Sequence, residues 1–171
     1  MIKWADGLTF SRVLLTPLIA WFWLSRPISL HWIGLWLFVA AGLTDVADGR
    51  IARHLKQTSR FGSYVDPFAD KLLVLGSATV LVFDHRLQVW WFLVVLAREL
   101  AVSTLRSVLK PGSSMPASRV AKWKTLTQMV TVGAAGVLTG SVPLGFAILS
   151  AGLTVWTGVE YVVNFWPSID A

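Results

Sequence analysis

Residues Asp45 to Asp70 read DVADGRIARHLKQTSRFGSYVDPFAD, and the chain makes sense when read outward from them. Asp45 and Asp48 stand three positions apart, and Asp66 and Asp70 four. If both pieces are helical, each pair of carboxylates shares one helix face. Long apolar runs flank the stretch on both sides. Carboxylates at the border of an apolar medium are costly unless something neutralises them, and the usual neutraliser is a hard cation. Four Asp oxygens suit Mg²⁺ or Mn²⁺, and with no Cys in the chain there is no thiolate to compete. A lone Asp in this setting caps a helix or pairs with Arg50, Arg53 or Lys56. Four in one register point instead to a metal site.

Composition narrows the class. A length of 171 residues predicts one domain over 1–171. An apolar content of 55%, a mean hydropathy of +0.64 and only 14% charged residues predict a membrane protein. The absence of Cys excludes a disulfide scaffold and a zinc–thiolate site. A net charge of +6 fits basic loops facing anionic lipid and phosphorylated substrates. Nucleic-acid binding is not expected, because no soluble basic face exists to carry it.

The hydropathy pattern predicts an all-α membrane protein with six transmembrane helices. The first is Leu8 to Leu24, read as a retained span because Ser25-Arg26-Pro27 follows where a signal peptide would have a small-residue cleavage site. Trp32 to Thr44 runs without a breaker into the Asp45–Arg53 segment, predicting one helix of about 25 residues at 1.5 Å per residue. Gly62 opens a second long helix, Ser63 to Phe83, whose early turns carry Asp66 and Asp70. Antiparallel packing of these two helices brings both carboxylate pairs to one depth. After the polar turn Asp84-His85-Arg86 come spans at Val89–Val108, Arg119–Leu138 and Leu144–Val163. Six spans put both termini on the same side. The excess of Lys and Arg in the His54–Phe61 and Lys110–Ser118 loops makes that side, and the active site, cytosolic in a cytoplasmic membrane. Trp21, Trp23, Trp32, Trp90 and Trp91 are read as belt residues near the outer span ends, and Trp4 and Trp166 near the inner ones. His31, His54 and His85 are read as lying on three separate loops and build no constellation.

Two polar stripes interrupt the later spans. Glu99, Ser103 and Arg106 share one helical face, and Lys124, Gln128 and Thr131 another. Inside a membrane such stripes are expected to line a wet cavity.

The full pattern is D-x2-D-G-x2-A-R-x8-G-x3-D-x3-D. Its eight fixed positions coincide by chance at on the order of 10⁻⁹ per starting site. It is similar to the signature of the CDP-alcohol phosphatidyltransferases, integral membrane enzymes that move a phosphatidyl group from CDP-diacylglycerol to an alcohol. Within that family three further segments resemble the phosphatidylglycerophosphate synthase branch: Leu8-Thr9 through Arg12 to Pro17, Ala97–Arg106, and Ala121–Gln128. Two departures stand out: Asp6 lies where the branch often has Asn, and Ala121 replaces the usual Gly.

The resemblance implies roles for these residues. Asp45, Asp48, Asp66 and Asp70 hold Mg²⁺ or Mn²⁺, as two ions, and Asp70 is also the general base. Gly49, Ala52, Arg53 and Gly62 border the CDP moiety of the donor. Arg98, Arg106, Lys122 and Lys124 form a cationic set for the phosphate of sn-glycerol 3-phosphate. The expected partners are CDP-diacylglycerol, glycerol 3-phosphate, the bilayer and a second copy of the chain as a homodimer. The nearest alternative is a sister enzyme with another acceptor, such as cardiolipin synthase. A divalent-cation or proton-coupled transporter is a remoter one, disfavoured because the carboxylates gather at one membrane side and the chain shows no inverted repeat.

Overall fold

Residues 4–55, 71–108 and 119–165 are described by the computed structural model, and all their regular elements are helical. Helix α1 (Trp4–Leu24) contains Pro17, which withholds one backbone N–H from the ladder. One residue earlier, Thr16 Oγ1 donates to the Arg12 carbonyl at 2.9 Å. The chain reverses over Ser25–Pro27, and the fixed φ of Pro27 leads into α2 (Ile28–Leu55). α2 runs unbroken for 28 residues, so the apolar stretch and the first half of the Asp motif form one rod.

The second half of the motif, including Asp66 and Asp70, lies outside the described residues. Where the description resumes, Leu72–Gly76 forms a π-helical turn that passes directly into α3 (Ser77–Phe83). Gly76 faces α1 closely: a Cβ there would come within 2.9 Å of Thr16 Cγ2. At the end of α3, Arg86 N–H bonds the Leu81 carbonyl at 2.8 Å and His85 N–H the Val82 carbonyl at 3.1 Å. These are the two bonds of a Schellman cap, with His85 in the left-handed position that glycine usually takes (φ 57°). α4 (Val89–Val108) and α5 (Arg119–Val137) follow. Gly140, at φ 84°, then turns the chain into α6 (Ser141–Phe165).

α1 packs along α2, α5 along α6, and α4 against α6; α2 and α5 meet, and α3 wedges between α1, α4 and α5. The core holds Ile19, Trp23, Phe38, Leu81, Trp91, Val95 and Val132. The exterior is apolar as well, with Leu14, Trp36, Phe83 and Trp156 all at least two-thirds exposed. Several of the most buried side chains are instead small and polar: Ser77, Thr131, Ser150, Thr154 and Thr157.

Among the described residues the chain is all-helical, with one helix at each of the six segments expected from sequence. By length and apolar content α6 is the one helix, among the described residues, fit to cross a membrane outright, over Ser141–Val163. Arg12–Leu24, Ile28–Thr44 and Leu72–Phe83 are shorter apolar stretches. Two readings from sequence need correction. Trp23 and Trp91 are not belt residues but fully buried core residues, each with its indole N–H satisfied internally. His31 and His54 are not on loops but within α2.

His31 is buried, and it organises the end of the bundle remote from the motif. Its Nε2 lies 2.8 Å from the Ser25 carbonyl, and Arg86 Nη1 lies 2.8 Å from its Nδ1. The same Arg86 nitrogen donates to the Gly136 carbonyl at 2.6 Å. One guanidinium thereby ties the ends of α2, α3 and α5 together.

Candidate active site

The unbroken helicity of α2 has a direct consequence for the motif. Asp45, Asp48, Gly49 and Ala52 occupy positions i, i+3, i+4 and i+7, one stripe of a single helix, with Arg53 beside it. The expected ligands and the expected donor-binding positions of this half-motif therefore share one face. Gly42, one turn before, marks where that rod meets α5, since a Cβ on it would overlap the Met129 methyl.

α4 and α5 contribute a charged cluster. Lys124 on α5, 5% exposed, donates to Glu99 Oε1 on α4. Arg98 Nη1 donates to the same oxygen at 3.0 Å, and its guanidinium lies 5.5 Å from the centre of the Tyr161 ring on α6. A third cation arrives from the start of the described α3 segment: Lys71 Nζ lies 3.8 Å from Glu99 Oε2 and donates to Ser103 Oγ. Three cations from three elements thus converge on one carboxylate. Lys71 is the residue immediately after Asp70 in the chain.

Of the residues expected to grip a phosphate, Arg98 and Lys124 are brought together. Arg106 follows Arg98 later in α4, and Lys122 precedes Lys124 near the start of α5. Glu99 is the shared counter-ion of Arg98 and Lys124, and Lys71 is a member that sequence reasoning overlooked. Its position next to Asp70 was the available signal.

The rest of the α5 stripe behaves otherwise than expected. Gln128 Nε2 donates to Thr154 Oγ1 at 2.9 Å, and the Thr131 hydroxyl lies 2.9 Å from that of Ser150. Trp91 Nε1 donates to Ser150 Oγ at 2.7 Å. Gln128 and Thr131 are buried and partnered, so they do not line a wet cavity. They join α5 to α6 by the hydrogen bonds between small polar side chains that hold helices together where water is scarce.

Residues 2–160 match the family described as CDP-alcohol phosphatidyltransferase. The chain belongs to that family. The CDP-alcohol phosphatidyltransferase match covers the motif, all three elements of the Glu99 cluster and most of α6. Membership makes the chain an enzyme of phosphatidyl transfer. Among curated relatives, the chain is 37% identical to a protein from Haemophilus influenzae over 91% of its own length and 89% of the relative's. It is 35% identical to one from Pseudomonas fluorescens, over 95% and 89%. It is 37% identical to one from Bacillus subtilis, over 83% and 74%. All three are named CDP-diacylglycerol–glycerol-3-phosphate 3-phosphatidyltransferase.

Proposed function

We infer that this CDP-alcohol phosphatidyltransferase moves the phosphatidyl group of CDP-diacylglycerol to sn-glycerol 3-phosphate, giving phosphatidylglycerophosphate and CMP. The names of its relatives support the reaction. The observation that carries the acceptor is the meeting of Arg98 and Lys124 at one nearly buried carboxylate. Two cations held in a dry setting suit a small phosphorylated acceptor better than a neutral hydroxyl.

In this reading Asp45, Asp48, Asp66 and Asp70 hold Mg²⁺ or Mn²⁺. The donor set fits: all oxygen, no sulfur, and two of the four on one stripe of α2. The bound ions would neutralise the donor diphosphate and the departing CMP. The Asp70 carboxylate takes the proton from the acceptor hydroxyl. That oxygen bonds to the phosphorus bearing diacylglycerol, and the bond from this phosphorus to the CMP oxygen breaks. Gly49, Ala52, Arg53 and Gly62 border the CDP portion, with glycine allowing close backbone approach. Arg98, Arg106, Lys122 and Lys124 orient the acceptor phosphate.

The same reading places the single-domain chain in the cytoplasmic membrane as six spans, with both termini and the active site on the cytosolic side. The apolar exterior around a core rich in Ser and Thr supports lipid as the solvent. A homodimer belongs to this reading too.

The test is CMP release from CDP-diacylglycerol in mixed micelles, with glycerol 3-phosphate, phosphatidylglycerol and free glycerol as acceptors. Glycerol 3-phosphate should be used best, and a chelator should stop turnover until Mg²⁺ or Mn²⁺ is restored. Preference for phosphatidylglycerol would transfer the chain to the sister activity. Full turnover in excess chelator would remove the metal assignment.

A further inference from the structure

We propose that Lys71 is a specificity-determining residue of the acceptor site, a cation that waits on Ser103 and turns to the phosphate of the incoming acceptor. The proposal rests on the phosphatidyl transfer to a phosphorylated alcohol described above.

Three cations share Glu99, and they are not equivalent. The side chains of Lys124 and Arg98 are 7% and 9% exposed, and each has a direct hydrogen bond to Oε1. Arg98 is further fixed over Tyr161. Lys71 is 34% exposed and stands 3.8 Å from Oε2, too far for a hydrogen bond. Its hydrogen bond goes to Ser103, a neutral hydroxyl and a weaker partner for an ammonium than a carboxylate or phosphate. Lys71 is therefore the least committed of the three and the one within reach of solvent.

Charge counting agrees. Lys71, Arg98 and Lys124 against Glu99 leave the cluster two positive charges in excess. A phosphate monoester above its second pKa of about 6 brings nearly two negative charges. Buried Lys124 and Arg98 can attract that group, but each is held by a direct hydrogen bond to Glu99. Lys71 can leave Ser103 for it without stranding a buried acceptor, because a hydroxyl retains its own proton to donate. In the chain it directly follows Asp70, the residue assigned as base.

The experiment compares full-length Lys71→Met, Lys71→Gln and Lys71→Arg in the micelle assay, with CDP-diacylglycerol and glycerol 3-phosphate varied separately. Lys71→Met should raise the apparent KM for glycerol 3-phosphate roughly ten- to hundredfold while the donor KM stays within about twofold. Lys71→Gln keeps a donor for Ser103, which guards against loss of folding, and should show the same rise. Lys71→Arg should recover most of it. A purely structural Lys71 would lower kcat or stability with the acceptor KM unchanged, and that result overturns the proposal. So does a rise confined to the donor KM, which would assign Lys71 to the diphosphate. An inactive wild-type enzyme with this acceptor would instead defeat the proposed reaction, a distinct failure.

Discussion

Glu99 on α4 and Lys124 on α5 form a hydrogen-bonded ion pair whose side chains are 15% and 7% exposed. Pairs so shielded are expensive to break from one side, because the survivor keeps its charge without its partner. Glu99→Gln should therefore lower unfolding stability by about 3–5 kcal/mol, read from thermal or denaturant unfolding in detergent. Glu99→Gln combined with Lys124→Met should recover part of that loss. If the double variant is as unstable as the sum of the single ones, the pair is not coupled.

Two glycines in helix interfaces should respond differently to alanine. At Gly136 an added methyl would overlap the buried indole of Trp23, which is fixed by its bond to the His31 carbonyl. Gly136→Ala should cost about 1–3 kcal/mol. At Gly42 the obstacle is the end of Met129, a flexible side chain that can step aside. The helix-propensity gain of about 1 kcal/mol should leave Gly42→Ala close to neutral. Unfolding midpoints of the two variants decide it.

Asp70→Asn should abolish turnover, by roughly 10²- to 10⁴-fold or more if Asp70 is the base, while leaving donor binding largely intact. Asp45→Asn and Asp66→Asn should in addition weaken metal-dependent donor binding. The measurements are kcat across pH and donor affinity with and without Mg²⁺. A near wild-type rate for Asp70→Asn at every pH would give the proton-transfer role to another group.

The sequence was most legible where chemistry demands particular residue types. The helix at Val89–Val108 was expected with the bounds observed, because polar turns punctuate an apolar run on either side. The continuity of α2 through Asp45–Arg53 followed from the lack of any breaker. What resisted reading was direction. Trp23 and Trp91 have the composition of a membrane belt, yet their rings point inward, a matter of which face each helix turns to its neighbours. Gln128 and Thr131 look like cavity lining until α6 presents Thr154 and Ser150 to meet them. Lys71 is an ordinary basic residue until α4 brings Ser103 and Glu99 beside it. Each of these depends on a partner far away in the chain.

Membrane topology can be read with fusions. A reporter active only in the cytosol should work after Ala171, and one active only after export should work when inserted at His85. His85 lies in the turn at the end of the bundle remote from the motif. The reverse pattern would put the Asp residues on the side without CDP-linked donors.

The π-helical turn at Leu72–Gly76 amounts to one residue more than a regular helix would spend on that distance. An extra residue advances the phase of everything upstream by about 100° relative to everything downstream. Lys71 and Gly76 are thus set in two angular frames on what is nominally one rod, one addressing α4 and the other α1. Deleting a single residue within Leu72–Gly76 would restore uniform winding at the expense of the turn's own packing on α1, and would swing Lys71 away from Ser103. A one-codon change would in that way separate the winding of the Lys71 end from that of α3, without altering Lys71, Ser103 or Glu99 themselves.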